Sequence, residues 1–196
     1  MPIPGYTIDG VLPPFVGPSG SGGAPEDMTP YAVTAIEVVT TLGQTEKRKT
    51  ILRGWLRHRQ GLRAAGFDRG FQWLDGSFVE DKDPNDLDIV SFTYRPADIR
   101  DFNQLVNHMK ANISLFDRAQ AKAQFKLDAF AIDLDGTPEG IVNLTRYWLG
   151  LFSHRRGDHL WKGMLQVRLE DIADDTAAGA ALGPEPFPLP GGGVNP

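Results

Sequence analysis

The 196-residue chain contains no cysteine, which excludes a disulfide framework, a thiolate zinc site and a cysteine nucleophile, and permits a reducing compartment. No apolar run reaches the roughly 18 residues that a membrane span needs, and the Pro- and Gly-rich N-terminus lacks a basic region followed by an apolar one. A cytoplasmic location without secretion or anchoring is the expectation. A basic balance is missing as well: the formal net charge is −5, so any contact with RNA or DNA has to be local. No internal repeat with a period of about 20 to 50 residues is visible, which sets aside solenoids and propellers.

What is present is 41% hydrophobic residues, enough for one domain with a real core. Residues 1–29 are rich in Pro and Gly and read as an extended segment anchored by Tyr6, Ile8, Val11, Leu12 and Phe15. Thr29-Pro30 reads as a cap and first-turn proline opening a helix over Tyr31 to Thr41. A longer helix is expected from Thr45 to Ala65, with Ile51, Leu52, Trp55, Leu56 and Leu62 on one side and Lys47, Arg48, Lys49, Arg53, Arg57 and Arg59 mostly elsewhere. Such a charge run is usually a solvated face, although it could touch RNA or an acidic partner.

Beyond Gly66 and Gly70, the pattern predicts strands over Phe71 to Asp75, Leu87 to Tyr94, Phe125 to Leu134 and Trp161 to Glu170. Helices are predicted over Asp98 to Ala111 and Ile141 to Phe152. From Asp171 onward Ala, Gly and Pro dominate, so residues 171–196 are expected to form a flexible tail or a partner-binding segment. The resulting class is α+β: a mixed sheet flanked by helices in a single domain over residues 30–170.

Chemistry concentrates in Trp73-Leu-Asp-Gly-Ser-Phe-Val-Glu-Asp-Lys-Asp-Pro-Asn-Asp-Leu-Asp-Ile-Val90. Residues two apart on a strand point to the same side, so Asp86 and Asp88 present their carboxylates together, as oxygen ligands for Mg²⁺ must. Gly76-Ser77 forms a tight turn whose free N–H groups and hydroxyl suit a phosphate. A solvated hairpin loop is the plainer reading of the same Asp and Asn residues. The run from Asp81 is not a calcium hand, because Asp86 takes the place of the required glycine and Phe92 that of the terminal glutamate.

Gly76-Ser77, the spacer and Asp86-Leu87-Asp88 followed by Ile89-Val90 resemble the signature of the polymerase-β-type nucleotidyltransferase superfamily, in its small bacterial branch. The longer runs Leu74 to Val79 and Pro84 to Asp88, with Gly10-Val-Leu-Pro-Pro14, are similar to an uncharacterised subgroup of it. The resemblance implies that the Gly-Ser turn grips an NTP, with ATP the default donor. It also implies that Asp86, Asp88 and a third carboxylate from a later strand hold two Mg²⁺ or Mn²⁺ ions. An NMP would pass to a hydroxyl of a protein, an RNA or a small molecule. Small relatives often occur in toxin-antitoxin or phage-defence modules, which implies a possible partner subunit from the same operon.

For the third acid, Asp128 is the choice. It interrupts an otherwise apolar strand, whereas Asp133 five residues on faces the other side and Asp135 belongs to the turn. Asp75, before the glycine, is expected only to cap or orient the turn. Lys82, Arg155, Arg156 and Lys162 are the candidate cations for the triphosphate, and His154 and His159 read as surface residues. Two rivals remain: a nucleotide-sensing or partner-binding subunit without activity, and a nucleic-acid-binding module that uses the basic helix.

Overall fold

The computed structural model describes residues 3–17 and 24–184. The glycine run around residue 20 and the stretch 185–196 of the expected tail lie outside them. The described chain is a mixed α+β structure built on five strands: β1 (Tyr31–Ala32), β2 (Gly70–Asp75), β3 (Leu87–Thr93), β4 (Leu127–Asp133) and β5 (Leu165–Arg168). Their order across the sheet is β1-β5-β2-β3-β4. β2 is antiparallel to both β3 and β5, while β3 runs parallel to β4 and β1 parallel to β5.

Seven helices are described: α1 (Ala35–Leu42), α2 (Glu46–Ala64), α3 (Phe102–Ala111), α4 (Ile113–Phe116), α5 (Arg118–Phe125), α6 (Pro138–Phe152) and α7 (Ile172–Ala181). Strand alternation sends Leu74, Ile89, Ala129 and Val167 to one side of the sheet, into the main core with Trp55, Leu52, Leu62 and Val38. Trp73, Val90, Phe92 and Ile132 take the other side and meet Trp148 and Phe152 of α6. That second face is thinly covered. On α6 only Trp148 and Phe152 are buried, while Val142, Leu144, Tyr147 and Leu151 are exposed.

Several expectations need correction. Tyr31 and Ala32 form the edge strand β1, and the first helix begins only after Thr34, whose hydroxyl and the Glu37 carboxylate make a reciprocal capping box. The Thr29–Pro30 peptide is cis. The last strand is only Leu165–Arg168 rather than Trp161 to Glu170. Of the N-terminal anchors, Val11 and Leu12 are buried but Ile8 is fully exposed.

The basic side of α2 is not a free cationic face either. Arg59 is 0% exposed and Arg48 7%, and each is spent on internal partners. Arg59 and Arg63 both bind Asp175, Arg63 at 2.6 Å and the Arg59 Nε at 2.8 Å from the nearer oxygen. Asp175 belongs to α7, so the segment expected to be a loose tail is, as far as residue 184, a helix pinned by a buried ion pair and by Ala178 in the main core. Its Asp174 also accepts the Ala35 and Ile36 N–H groups at the start of α1. The sequence hid this helix because its apolar side is only alanine, which carries little hydrophobic signal.

Candidate active site

The site begins with strand register. Asp75 ends β2 opposite Asp88 of β3, and Asp88 in turn lies opposite Asp128 of β4. All three therefore project from the same side of the sheet, the α6 side, because Asp75 shares the parity of Trp73, Asp88 that of Val90, and Asp128 that of Phe130. Asp86 enters the same region from the loop before β3. Asp133 lies at the other end of β4, on the opposite side, bound to Arg95 at 2.6 Å.

Immediately after β2 the chain turns at Gly76 into a short 3-10 turn, Gly76–Val79. Gly76 has φ +74°, and a Cβ there would lie 1.7 Å from Asp88 Oδ2. Glycine is needed twice at this point, for the left-handed backbone and for the close approach of the carboxylate. The loop that follows is held from three directions. Arg48 donates to the carbonyls of Phe78 at 2.8 Å, Glu80 at 2.6 Å and Lys82 at 2.8 Å. Val11 pairs with Glu80 as an isolated antiparallel bridge, and the Asp81 N–H donates to Gly10 O. Lys162, only 2% exposed, donates to Gly76 O at 3.0 Å and Glu80 Oε1 at 3.1 Å, and lies 3.1 Å from Asp75 Oδ1.

These elements surround a polar cavity of about 280 Å³. Asp75, Glu80, Asp86, Asp88 and Asp128 supply five carboxylates to its wall, and Lys82, Arg118, Lys122, Arg155, Arg156 and Lys162 supply six cations. Gly76 and Ser77 form one edge, and Leu151, Phe152 and His154 close the α6 side. Among the expected cations, Lys162 lines the cavity and is held beneath the turn by Asp75, Glu80 and the Gly76 carbonyl. Lys82 is paired with Glu80 at 2.6 Å. Arg155 is tied to Asp158 and donates to Asp9 O at 2.7 Å. Arg156 borders the cavity with an exposed guanidinium.

The carboxylates feel one another. Burial raises the Asp88 pKa, and the charges of Asp86 and Asp128 raise it further, against the pull of Arg156 and Lys162. Burial pushes the Asp75 carboxyl up to about 7, although Lys162 and the Gly76 N–H oppose it. Asp75 does more than cap the turn: it is 3% exposed and forms the floor of the site with Lys162. Burial also works against ionisation of Glu80, but Lys82 and Lys162 outweigh it and hold that carboxyl below the usual range.

Two cavity residues, Arg118 and Lys122 of α5, carried no sequence signal. Arg118 binds both oxygens of Asp128, Nη2 at 2.5 Å from Oδ2. Lys122 Nζ lies 2.5 Å from Asp86 Oδ2. No feature of residues 117–125 marks them as site residues, since their role depends on how α5 lies beside β4. The spacing of four along a helix, which puts both on one side, was the only available hint.

A family profile matches residues 4–168. The chain belongs to DUF6932, a family of unknown function. No curated protein and no solved structure matches it. The matched stretch of this DUF6932 member contains the whole cavity lining, from Asp75 to Lys162, and stops before α7.

The donor chemistry of the DUF6932 cavity suits a hard divalent cation, because Asp86, Asp88 and Asp128 offer oxygen alone and repel one another when ionised. Among the described residues, however, no three acidic or histidine side chains are gathered into a ready cage. Asp86 is turned to Lys122 and Asp128 to Arg118. Also among the described residues, no helix is long and apolar enough to cross a membrane.

Proposed function

We propose that this protein is a metal-dependent nucleotidyltransferase that moves an NMP from an NTP, with ATP the first candidate, to a hydroxyl acceptor. The observation that carries the reading is the placement of Asp88 and Asp128 as cross-strand neighbours, in one cavity with Asp86 and the Gly76-Ser77 turn. Three oxygen donors beside a tight, N–H-bearing turn supply what attack on an α-phosphate requires. The resemblance in sequence points the same way.

In this reading Asp86, Asp88 and Asp128 would hold Mg²⁺ or Mn²⁺, which supplies Lewis-acid stabilisation of the charge that builds on the phosphoryl oxygens. Ser77 would bind the phosphates through its backbone N–H and hydroxyl, with Gly76 shaping the turn that presents it, since the Gly76 N–H is engaged by Asp75. Arg156 and Arg155 stand at the cavity wall for the outer phosphates. In the same reading Asp128 would help to activate the acceptor hydroxyl by taking its proton. Lys162, Glu80 and Arg48 fix the shape of the turn. The acceptor class spans a protein side chain, an RNA end and a small molecule. A cytoplasmic setting, in a toxin-antitoxin or phage-defence module with a partner from the same operon, belongs to the same proposal and rests on the resemblance.

The test incubates purified protein with each α-³²P-labelled NTP and Mg²⁺ or Mn²⁺, with and without total tRNA and cell lysate, beside the Asp86→Ala/Asp88→Ala variant. Label that appears on a protein, RNA or small molecule and disappears in the variant supports transfer and identifies the acceptor class. NTP binding without transfer, and unchanged in the variant, overturns it in favour of a nucleotide-sensing subunit.

A further inference from the structure

The ion pairs Arg59–Asp175 and Lys162–Asp75 are closed on both sides, at 0% and 6% and at 2% and 5% side-chain exposure. The two pairs on the α5 side of the cavity are built differently. The carboxylates are sheltered, Asp128 at 6% and Asp86 at 19%, but their cations are open, Arg118 at 62% and Lys122 at 53%. An exposed cation gains little from such a pair and is released at small cost, whereas a sheltered carboxylate left without a counter-charge is strongly penalised. Asp86 and Asp128 therefore always need positive charge, while Lys122 and Arg118 do not need these particular carboxylates.

Arg118 and Lys122 stand one helical turn apart on α5, and both border the cavity. Their long side chains can leave the carboxylates without leaving the cavity. With both engaged, the positive charge on this wall is already matched, and a polyphosphate would meet little uncompensated attraction.

Resting on the nucleotidyltransferase reading, we infer that Lys122 and Arg118 are exchangeable counter-ions: they hold Asp86 and Asp128 in the metal-free protein and pass to the polyphosphate of the nucleotide when a divalent cation takes their place. The cavity would then recognise a nucleoside triphosphate only as its metal complex. Binding of metal and of triphosphate would each favour the other, as linkage requires.

The exchange gives one substitution opposite effects on two equilibria. In Lys122→Gln, the competitor for Asp86 is gone, so Mn²⁺ alone, followed by electron paramagnetic resonance of the free ion, is expected to bind about 3- to 10-fold tighter than in the wild type. With saturating Mn²⁺, the non-transferable analogue α,β-methylene-ATP, followed by equilibrium dialysis, is expected to bind about 5- to 20-fold more weakly, and Lys122→Arg to recover most of the loss. Arg118→Gln is expected to repeat the pattern through Asp128. Weaker nucleotide binding with unchanged Mn²⁺ affinity would make the two residues ordinary phosphate ligands and overturn the exchange. A fall in both affinities would overturn it as well. A wild-type protein that binds neither Mn²⁺ nor nucleotide would defeat the nucleotidyltransferase reading itself, before any variant is compared.

Discussion

Gly76 and Asp88 are packed so closely that a single added carbon would collide: a Cβ at position 76 would stand 1.7 Å from Asp88 Oδ2. The turn and the acidic strand are therefore one unit. In Gly76→Ala, either the carboxylate or the turn has to move, and the alanine also carries the strain of a positive φ. A loss of about 2 to 3 kcal/mol in urea unfolding is expected, together with loss of nucleotide binding in dialysis. Wild-type binding by Gly76→Ala would show that the turn is not part of the site.

Asp88 carries a cost to the fold. Its pKa is raised by burial and by the neighbouring carboxylates, so its charge costs more in the folded state than in the unfolded chain. Asp88→Asn removes that charge with little change in shape. Stability is expected to rise by up to about 1 kcal/mol while nucleotidyl transfer disappears, the trade expected of a functional group held against its own stability. Thermal unfolding beside the radiolabel assay reads both effects.

Arg48 bridges α2 to three carbonyls of the loop over residues 78–82. Arg48→Met leaves those acceptors without their donor, and a loss of about 3 kcal/mol is expected. Hydrogen exchange is expected to speed up most in residues 78–86, where the site's loop lies. Uniform acceleration across the protein would mean that Arg48 serves the core in general.

Asp175 is the counter-ion of Arg59, which is fully buried. Removing it in Asp175→Ala strands a guanidinium in the core, with an expected cost of about 3 to 5 kcal/mol. Deleting residues 171–196 is expected to cost at least as much. Chemical denaturation that shows no difference on deletion would return α7 to the status of a tail.

His58 supplies a pH dependence far from the cavity. Burial, with Arg59 adding to it, lowers its pKa from 6.5 to about 4, although the Leu115 carbonyl pulls the other way. Between those values the unfolded chain binds the extra proton and the folded one does not. Stability is therefore lost as pH falls from 6.5 toward 4, by up to about 3 kcal/mol, and His58 contributes no slope above that window. Urea midpoints of wild type and His58→Gln are expected to diverge in slope only across this range.

What the sequence could and could not disclose follows from the range of the interactions involved. Gly76-Ser77 and Asp86-Leu87-Asp88 are local patterns, and alternation along a strand was enough to separate Asp128 from Asp133. Helix α2 was legible from its apolar side, but the fates of Arg48 and Arg59 were not, because Phe78 O and Asp175, which hold them, lie 30 and 116 residues away. Lys162 was legible as a cation for the site but not as a buried one, because its burial depends on Asp75 and Glu80, more than 80 residues earlier in the chain. Arg118 and Lys122 were silent for the same reason. Tyr31 and Ala32 look helical alone and become strand only when β5 is there to pair with them.

The position of β5 has a bearing on how the protein is made. It lies between β1 and β2 in the sheet, yet it is the last of the described strands in chain order, and Lys162 just before it follows Glu80 by 82 residues. A nascent chain that has already exposed β2, β3 and β4 holds Asp75, Glu80 and Asp88 without the ammonium that neutralises their floor. In chain order, the acidic half of the centre comes before the ammonium that balances it. Lys162 and β5, rather than the pairing of β2 with β3 and β4, supply the charge that balances the centre.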